Sequence, residues 1–440
     1  MADAMAYSLV SAYFMFFLTT IAGIRPQTAG IITAVGAVFN GLMNPVIGYM
    51  ADRIYTRWGR RRPVMIASAV PLSIAMILAF TNYPFSGTVK AICYGLILML
   101  YWASYSGYLV PYLALASGYT SDYDERTKLR LYASLFNQFG SLFTFFLPTI
   151  LVDTLKSHGL PEDVSWTILA SIISVICFVS IVVTFATSRK QDPPCEKDRK
   201  EPLGFSLTAI LREYAAVAAL PPVKYLVAAS ITALICFSIM LSDLVYFLTY
   251  NMAFSALMIS VMLGLRPVFA MGLLPIVGTL SAKIDKRQTF ILLSGIGVCG
   301  MILLRVTGVS SIPHTVLFIL MATLCTGVYW HLVPSMYLDI CDYDRLTNGV
   351  NRQATILSFQ GFVEAIAAGF GTFLLGFLLE HNGFDGEAAV QQASALTWIF
   401  HNATWVPCLF LAAAMFCIWR YPMTRDAHHR IISELTKQKH

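Results

Sequence analysis

Twelve stretches of this chain are apolar over roughly 20 residues, the length an α-helix needs to cross a bilayer. They fall at 4–24, 27–51, 64–82, 88–112, 131–153, 163–187, 223–251, 255–281, 289–308, 311–339, 354–380 and 396–420. The runs are long and do not alternate, so helices are expected and a barrel is not. Of the 440 residues, 57% are hydrophobic and only 12% charged, against about 25% charged in soluble domains. A mean hydropathy of +0.67 agrees. So much apolar surface requires lipid as the main solvent. Residues 1–10 lack a basic region and a small-residue cleavage site, so they read as the start of the first span.

A polar segment recurs half a chain apart. Asp122-Tyr123-Asp124-Glu125-Arg126 leads into Tyr132 to Gly140, and Asp342-Tyr343-Asp344-Arg345 leads into Ile356 to Phe362. Each is an acidic-then-basic loop before an apolar run with an amide at a matching place. A repeat at half length, in the same sense, predicts two similar membrane halves with a cavity between them. The expected architecture is all-α, with twelve transmembrane helices in two six-helix bundles related by a pseudo-two-fold. The bundles are 1–187 and 223–420, joined by a linker over 188–222 and followed by a tail over 421–440.

Lys and Arg set the orientation. Loops after even-numbered spans carry them densely, from Arg53, Arg57, Arg60, Arg61 and Arg62 to Lys283, Lys286 and Arg287, whereas the other loops hold only Arg25, Lys90 and Lys156. This asymmetry places both termini in the cytoplasm. It also accounts for the net charge of +6 without nucleic acid or any other polyanion. The nine cysteines are scattered, with no Cys-x-x-Cys or Cys/His cluster, so neither a disulfide framework nor a metal site is indicated. In the linker, Pro193-Pro194 marks an irregular part. Phe205 to Leu220 is either an amphipathic helix on the membrane surface or a plain tether. Thr424 can cap a last helix carrying Ile431, Ile432 and Leu435 on one side.

Acids and bases at adjacent helix ends form a candidate cytoplasmic gate: Asp52, Arg53, Arg57, Arg60, Asp122, Asp124, Arg126, Asp342, Asp344 and Arg352. Partly wet pairs of this kind contribute about 0.3–1 kcal/mol each, enough in number to bias a two-state equilibrium. The plainer reading is that they only set topology.

Three ionisable residues stand inside apolar spans. Glu364 lies twelve residues beyond Arg352, roughly 18 Å in, and Arg266 about 16 Å down its own span. Both fall near the middle of a core about 30 Å thick and should face the protein interior. Asp243 lies roughly 28 Å past Lys224, near the outer surface, where it is expected to be wet. The functional reading makes Glu364 a proton acceptor and Arg266 an anchor for a solute anion or hydroxyl pair; the alternative is a permanent buried ion pair. Pro267 is expected to kink span 8. Tyr101, Trp102, Tyr105 and Tyr108 in span 4, with Tyr329, Trp330 and His331 in span 10, offer aromatic faces with polar edges. Such surfaces suit sugar rings or other amphipathic solutes, or belong to ordinary packing. Asn40, Asn44, Asn137, Gln138 and Gln360 complete the polar set.

Several motifs together resemble the glycoside–pentoside–hexuronide:cation symporter family, the melibiose-permease group of the major facilitator superfamily. They are Asn44-Pro45-Val46-Ile47-Gly48 with Asp52-Arg53, Arg57-Trp58-Gly59-Arg60-Arg61-Arg62-Pro63, Val110-Pro111-Tyr112, Asp122-Tyr123-Asp124-Glu125-Arg126-Thr127, Asp339-Ile340-Cys341-Asp342-Tyr343 with Asn348-Gly349, and Tyr421-Pro422-Met423-Thr424. The resemblance covers nearly the whole chain. It implies a major facilitator fold, alternating access and cation-coupled uptake of a sugar-like solute. Where that group carries two cation-binding carboxylates in span 2, this chain has Asn40 and Asn44. An amide carbonyl can reach Na⁺ but supplies no charge and no titratable proton. The group's sugar-binding aspartate and tryptophan in span 4 fall on Ala103 and Gly107. Its acid in span 1 falls nearest Asp3, one place off, and Glu364 stands where melibiose permease has a lysine.

The expectation is therefore a monomeric, multi-pass inner-membrane symporter of a small polar solute, coupled to H⁺ through Glu364 in preference to Na⁺, or uncoupled, and without a cofactor. The alternatives are a carrier of an amphiphile such as a lysolipid and a non-transporting receptor of the same fold. An enzyme is not expected, since no nucleophile–base pair, metal spacing or phosphate-cradling loop is found.

Overall fold

The computed structural model describes residues 1–54, 56, 58, 59, 61–116, 123–190, 207–349, 352–386, 388 and 390–437. Among these residues there is no strand. The helices are α1 (Ala2–Leu9), α2 (Pro26–Arg53), α3 (Arg61–Ala79), α4 (Gly87–Ala116), α5 (Tyr123–Ser157), α6 (Glu162–Thr187), α7 (Leu207–Ala218) and α8 (Pro221–Tyr246). They continue with α9 (Ala256–Ile284), α10 (Lys286–Thr307), α11 (Ile312–Asn348), α12 (Gln353–His381), α13 (Ala393–Ala403), α14 (Trp405–Arg420) and α15 (Arg425–Lys437). Eleven helical spans among the described residues are long and apolar enough to cross a membrane. The first expected span is α1 prolonged by π turns at Val10–Phe14 and Phe17–Ile21.

Local chemistry sets several boundaries. Pro26 opens α2, where its missing N–H costs nothing. Ser311 caps α11 through the His314 N–H, and Gly349 closes it with φ of 67°, its N–H on the Arg345 carbonyl. The last span is divided at Thr404, where φ is −126° and ψ −77°. α9 runs through Pro267 as one helix.

The linker does form a helix, α7, and it is seated on protein. Buried Tyr214 shares a 2.7 Å hydrogen bond with Ser358 and packs against Phe359 and Phe362 of α12. Thr424 caps α15, accepting from the Ala427 N–H at 3.4 Å. On α15, Ile431 is buried and Ile432 is 39% exposed. The Leu435 side chain lies outside the described residues.

The chain forms two compact units. The first comprises Met1–Gly204, Leu244–Pro267 and Thr372–Ile399. Its core is aromatic: Phe14 and Phe17 meet Phe80, which stacks on Trp166, and the Tyr13 hydroxyl donates to the Phe145 carbonyl at 2.9 Å. The second comprises Phe205–Asp243, Val268–Gly371 and Phe400–His440. There α10 and α11 approach closely, since a Cβ at Gly297 would strike Cys325 and one at Gly300 would strike Met321.

Each unit contains the same polar clasp. In the first, Arg62 at the start of α3 is buried, donates to the Phe185 carbonyl at 3.0 and 2.6 Å, and lies over the Phe185 ring. In the second, Arg287 at the start of α10 donates to the Tyr421 carbonyl at 3.2 Å. Both arginines open the third span of their half and satisfy a carbonyl at the end of its sixth. The half-length repeat is thus visible in side-chain bonding. Arg62→Ala is expected to cost about 2–3 kcal/mol and Arg287→Ala about 1–2 kcal/mol. Thermal denaturation of the purified variants measures this, and midpoints equal to that of the parent would refute the clasp.

Candidate functional site

In the first unit a carboxylate organises the polar set. Asp3, half-buried at the start of α1, accepts from the Tyr105 hydroxyl at 2.6 Å and from the Asn137 amide at 3.1 Å. Three helices therefore converge on one acid. Tyr7, one turn further on, packs against Trp102 and Tyr105 with ring centroids 6.3 and 6.4 Å apart. The span 4 stripe is a packed wall: Tyr101, Trp102, Tyr105 and Tyr108 are all buried. Within it the Tyr105 hydroxyl is fixed to Asp3, whereas that of Tyr101 has no partner. The span 2 pair is set against α4, with Ser106 donating to the Asn40 carbonyl at 2.9 Å and the buried Asn44 carbonyl oxygen without a partner. Half-buried Arg266 lies on α9, and Gln138 reaches the next carbonyl, that of Pro267, at 3.5 Å.

The second unit holds the other acid expected at depth. Oε1 of Glu364 accepts from Gln360, one turn earlier on α12, at 2.7 Å and from the buried Tyr329 hydroxyl on α11 at 3.0 Å. Its partners thus come from within its own unit, and from a tyrosine expected only as an aromatic face. Trp330 packs against Phe237 and Tyr329 and remains 38% exposed. His331 is half-buried with Nε2 unpartnered.

Asp243 is not wet. It is 0% exposed, and neither carboxylate oxygen has a hydrogen-bond partner. Axial distance along α8 places it near a membrane surface, but the span from Pro221 is the most enclosed of those described, 83% buried over its apolar window.

A family model described as MFS/sugar transport protein matches residues 1–425. The isoprimeverose transporter of Lactiplantibacillus pentosus is 26% identical over 99% of this chain and 89% of its own length. The glucuronide carrier protein homolog of Escherichia coli K12 is 23% identical over 100% of this chain and 93% of its own. Among solved structures, a bacterial homolog of the human lysosomal transporter Spinster superposes with a TM-score of 0.68, covering 95% of this chain and 93% of that one at 13% identity. The chain belongs to the glycoside–pentoside–hexuronide:cation symporter family of the major facilitator superfamily. It is a multi-pass membrane transporter, and the Spinster likeness independently gives the fold.

In this symporter the basic-loop ends carry several of the expected gate residues. Asp344, fully buried, takes Arg352 in a bidentate pair at 2.7 and 3.0 Å and Asn348 at 2.7 Å. That carboxylate holds the Arg352 guanidinium above its ordinary range. Asp342 pairs with His428 of α15 at 3.0 Å, and Lys286 with Asp339 at 2.7 Å. The charge pattern marked Lys286 as a loop base without giving it a partner, and it did not single out His428, because tail and loop meet only in the fold. The side chains of Asp52, Arg53, Asp124 and Arg126, and the whole of Arg57, Arg60 and Asp122, lie outside the described residues.

The ends remote from the basic loops are closed within the first unit. The Tyr246 and Thr19 hydroxyls bond at 2.7 Å, and Tyr246 packs on Phe16 and Phe384. Asn251 donates to the Leu396 carbonyl at 2.8 Å, the Gln27 N–H to Glu380 at 2.7 Å, and Thr149 bonds Ser260. A Cβ at Gly376 would strike the Pro26 carbonyl, and one at Gly386 the carbonyl of Thr19. Tyr246→Phe removes one buried hydrogen bond, about 1 kcal/mol or roughly fivefold in an opening equilibrium. In a background lacking the native cysteines, Tyr246→Phe should raise thiol labelling at Thr20→Cys by that factor; an unchanged rate would show that this bond does not hold the end shut.

Proposed function

We propose that this symporter moves a small glycoside or hexuronide across the inner membrane by alternating access, with H⁺ as the coupling ion. The observation that carries the reading is Asp3 with donors from Tyr105 and Asn137 beside the aromatic faces of Tyr7 and Trp102. A carboxylate and amide set among aromatic rings is the chemistry that recognises a sugar, hydroxyls on the polar groups and C–H faces on the rings. The names of the relatives support the same substrate class. In the same unit as Asp3, Gln138 and Arg266 would add hydrogen-bonding groups for the solute, and in the second unit Glu364, Gln360 and Tyr329 form a set of the same chemistry. Arg266 would be the partner of a uronic-acid carboxylate.

Proton coupling is favoured because Asn40 and Asn44 offer a cation only neutral oxygens, while acids stand elsewhere at membrane depth, Glu364 first. The working unit is a monomer of two six-helix bundles, 1–187 and 223–420, with both termini cytoplasmic as the Lys and Arg distribution requires. The closed ends remote from the basic loops are then external.

The test is uptake and counterflow of isoprimeverose and methyl glucuronide in proteoliposomes, with and without an inward proton gradient. Exchange of at least one sugar and gradient-driven accumulation are expected. Asp3→Asn should lower the rate about tenfold or more, the loss of one charge-assisted contact. Glu364→Gln should abolish accumulation if that carboxylate alone carries the proton. Failure of every sugar and uronide to exchange would overturn the substrate class.

A further inference from the structure

Asp243 does not match any residue of the solute set, yet among the described residues it is a fully buried acid that lacks a partner. Its side chain is 0% exposed and both oxygens are unpartnered. Among the described residues no titratable or charged side chain acts on it. Ser242, Leu244 and Val245 beside it are buried as well. One turn and a half nearer the basic loops, Gly371 of α12 lets the two helices close, for a Cβ there would strike Ser238. An ionised carboxylate without donors is the costliest group to keep out of water, and it becomes neutral instead. Glu364 is the contrast, since Gln360 and Tyr329 present it with the two donors a carboxylate needs.

Position adds a second, independent observation. Along α8, Asp243 stands one turn before Tyr246, on the same helix face, and Tyr246 bonds Thr19 in the closed end. The helix passes from one compact unit to the other between Asp243 and Leu244. A motion that parts Tyr246 from Thr19 therefore begins one helical turn from this acid.

We infer that Asp243 is a second proton-binding site, a carboxyl group that keeps its proton while the Tyr246–Thr19 end is closed and exchanges it with water when that end opens. The step is a plain protonation: one proton from hydronium adds to a carboxylate oxygen, and no electron moves. The ligand is H⁺: among the described residues no group of three or more His, Cys, Asp or Glu side chains could hold a metal ion. The coupling role rests on the transport reading; the protonation itself does not.

Infrared spectroscopy of the purified full-length protein at neutral pH separates the two. The parent should show a protonated-carboxyl C=O band that Glu364→Gln retains, Asp243→Asn removes, and Asp243→Glu restores at a shifted frequency. A band unchanged in Asp243→Asn overturns the inference, whether or not any sugar is carried. In proteoliposomes with isoprimeverose, Asp243→Asn should remove the dependence of accumulation on the proton gradient. Accumulation as steep as in the parent would overturn the coupling role. Absence of sugar exchange in the parent would instead count against the transport reading and leave the infrared result to decide the site.

Discussion

Lipid provides neither donors nor acceptors, so a polar or charged side chain carried below the membrane surface is costly unless it is partnered inside the protein or made neutral. That constraint explains where the side chains of this transporter gather. Asp3 could not sit at the head of a membrane helix without Tyr105 and Asn137, which means α4 and α5 must close on α1 at that level. Glu364 draws α11 towards α12 through Tyr329 in the same way. Arg62 and Arg287 use their donors on carbonyls that the last span of each half leaves open, joining the third helix to the sixth. The polar groups thus specify helix neighbours, and the apolar surface between them supplies most of the burial energy.

The closed end is built differently. Its contacts are single hydrogen bonds between neutral groups, one charge-assisted bond to Glu380, and helix approaches permitted by Gly376 and Gly386. At about 1 kcal/mol for a neutral bond, the set amounts to a few kcal/mol. That is the range in which a ligand of ordinary differential affinity can reverse a two-state equilibrium. Buried ion pairs there would hold the end too firmly, or cost too much to form. The bidentate Asp344–Arg352 pair lies instead within the corner between α11 and α12, where it braces one turn.

Much of the fold was legible because hydropathy and charge act over long windows, so the membrane-length helices follow from periodicity, whereas the linker sequence left a helix and a plain tether both open and α7 decides it. Glu364 with Gln360 was legible for a local reason, since four residues on a helix make one face. Asp3 was harder, because its partners come from α4 and α5 and no spacing in the chain joins them. Asp243 shows the limit most clearly. Rise per residue fixed its depth, but depth along one helix says nothing about which neighbours cover it, so an acid near the surface level was read as wet when it is dry. The docking of His428 on Asp342 likewise joins segments that no sequence window spans.

The resemblance implies cation-binding carboxylates where this chain has Asn40 and Asn44, and on the proposed reading those amides have a consequence for the rest of the protein. A cation bound by carboxylates brings its charge into a site already compensated. With only amide oxygens there, as in the Ser106–Asn40 pair, an entering cation would remain almost uncompensated at membrane depth. A proton avoids this difficulty, because the carboxylate it joins becomes neutral and the complex carries no charge across the low-dielectric interior. On the proposed reading, the amides in span 2 and the buried, unpartnered acid on α8 belong to one arrangement: charge is neutralised before the transporter turns by protons on carboxyl groups, and Asp243 is the one that water would reach when Tyr246 leaves Thr19.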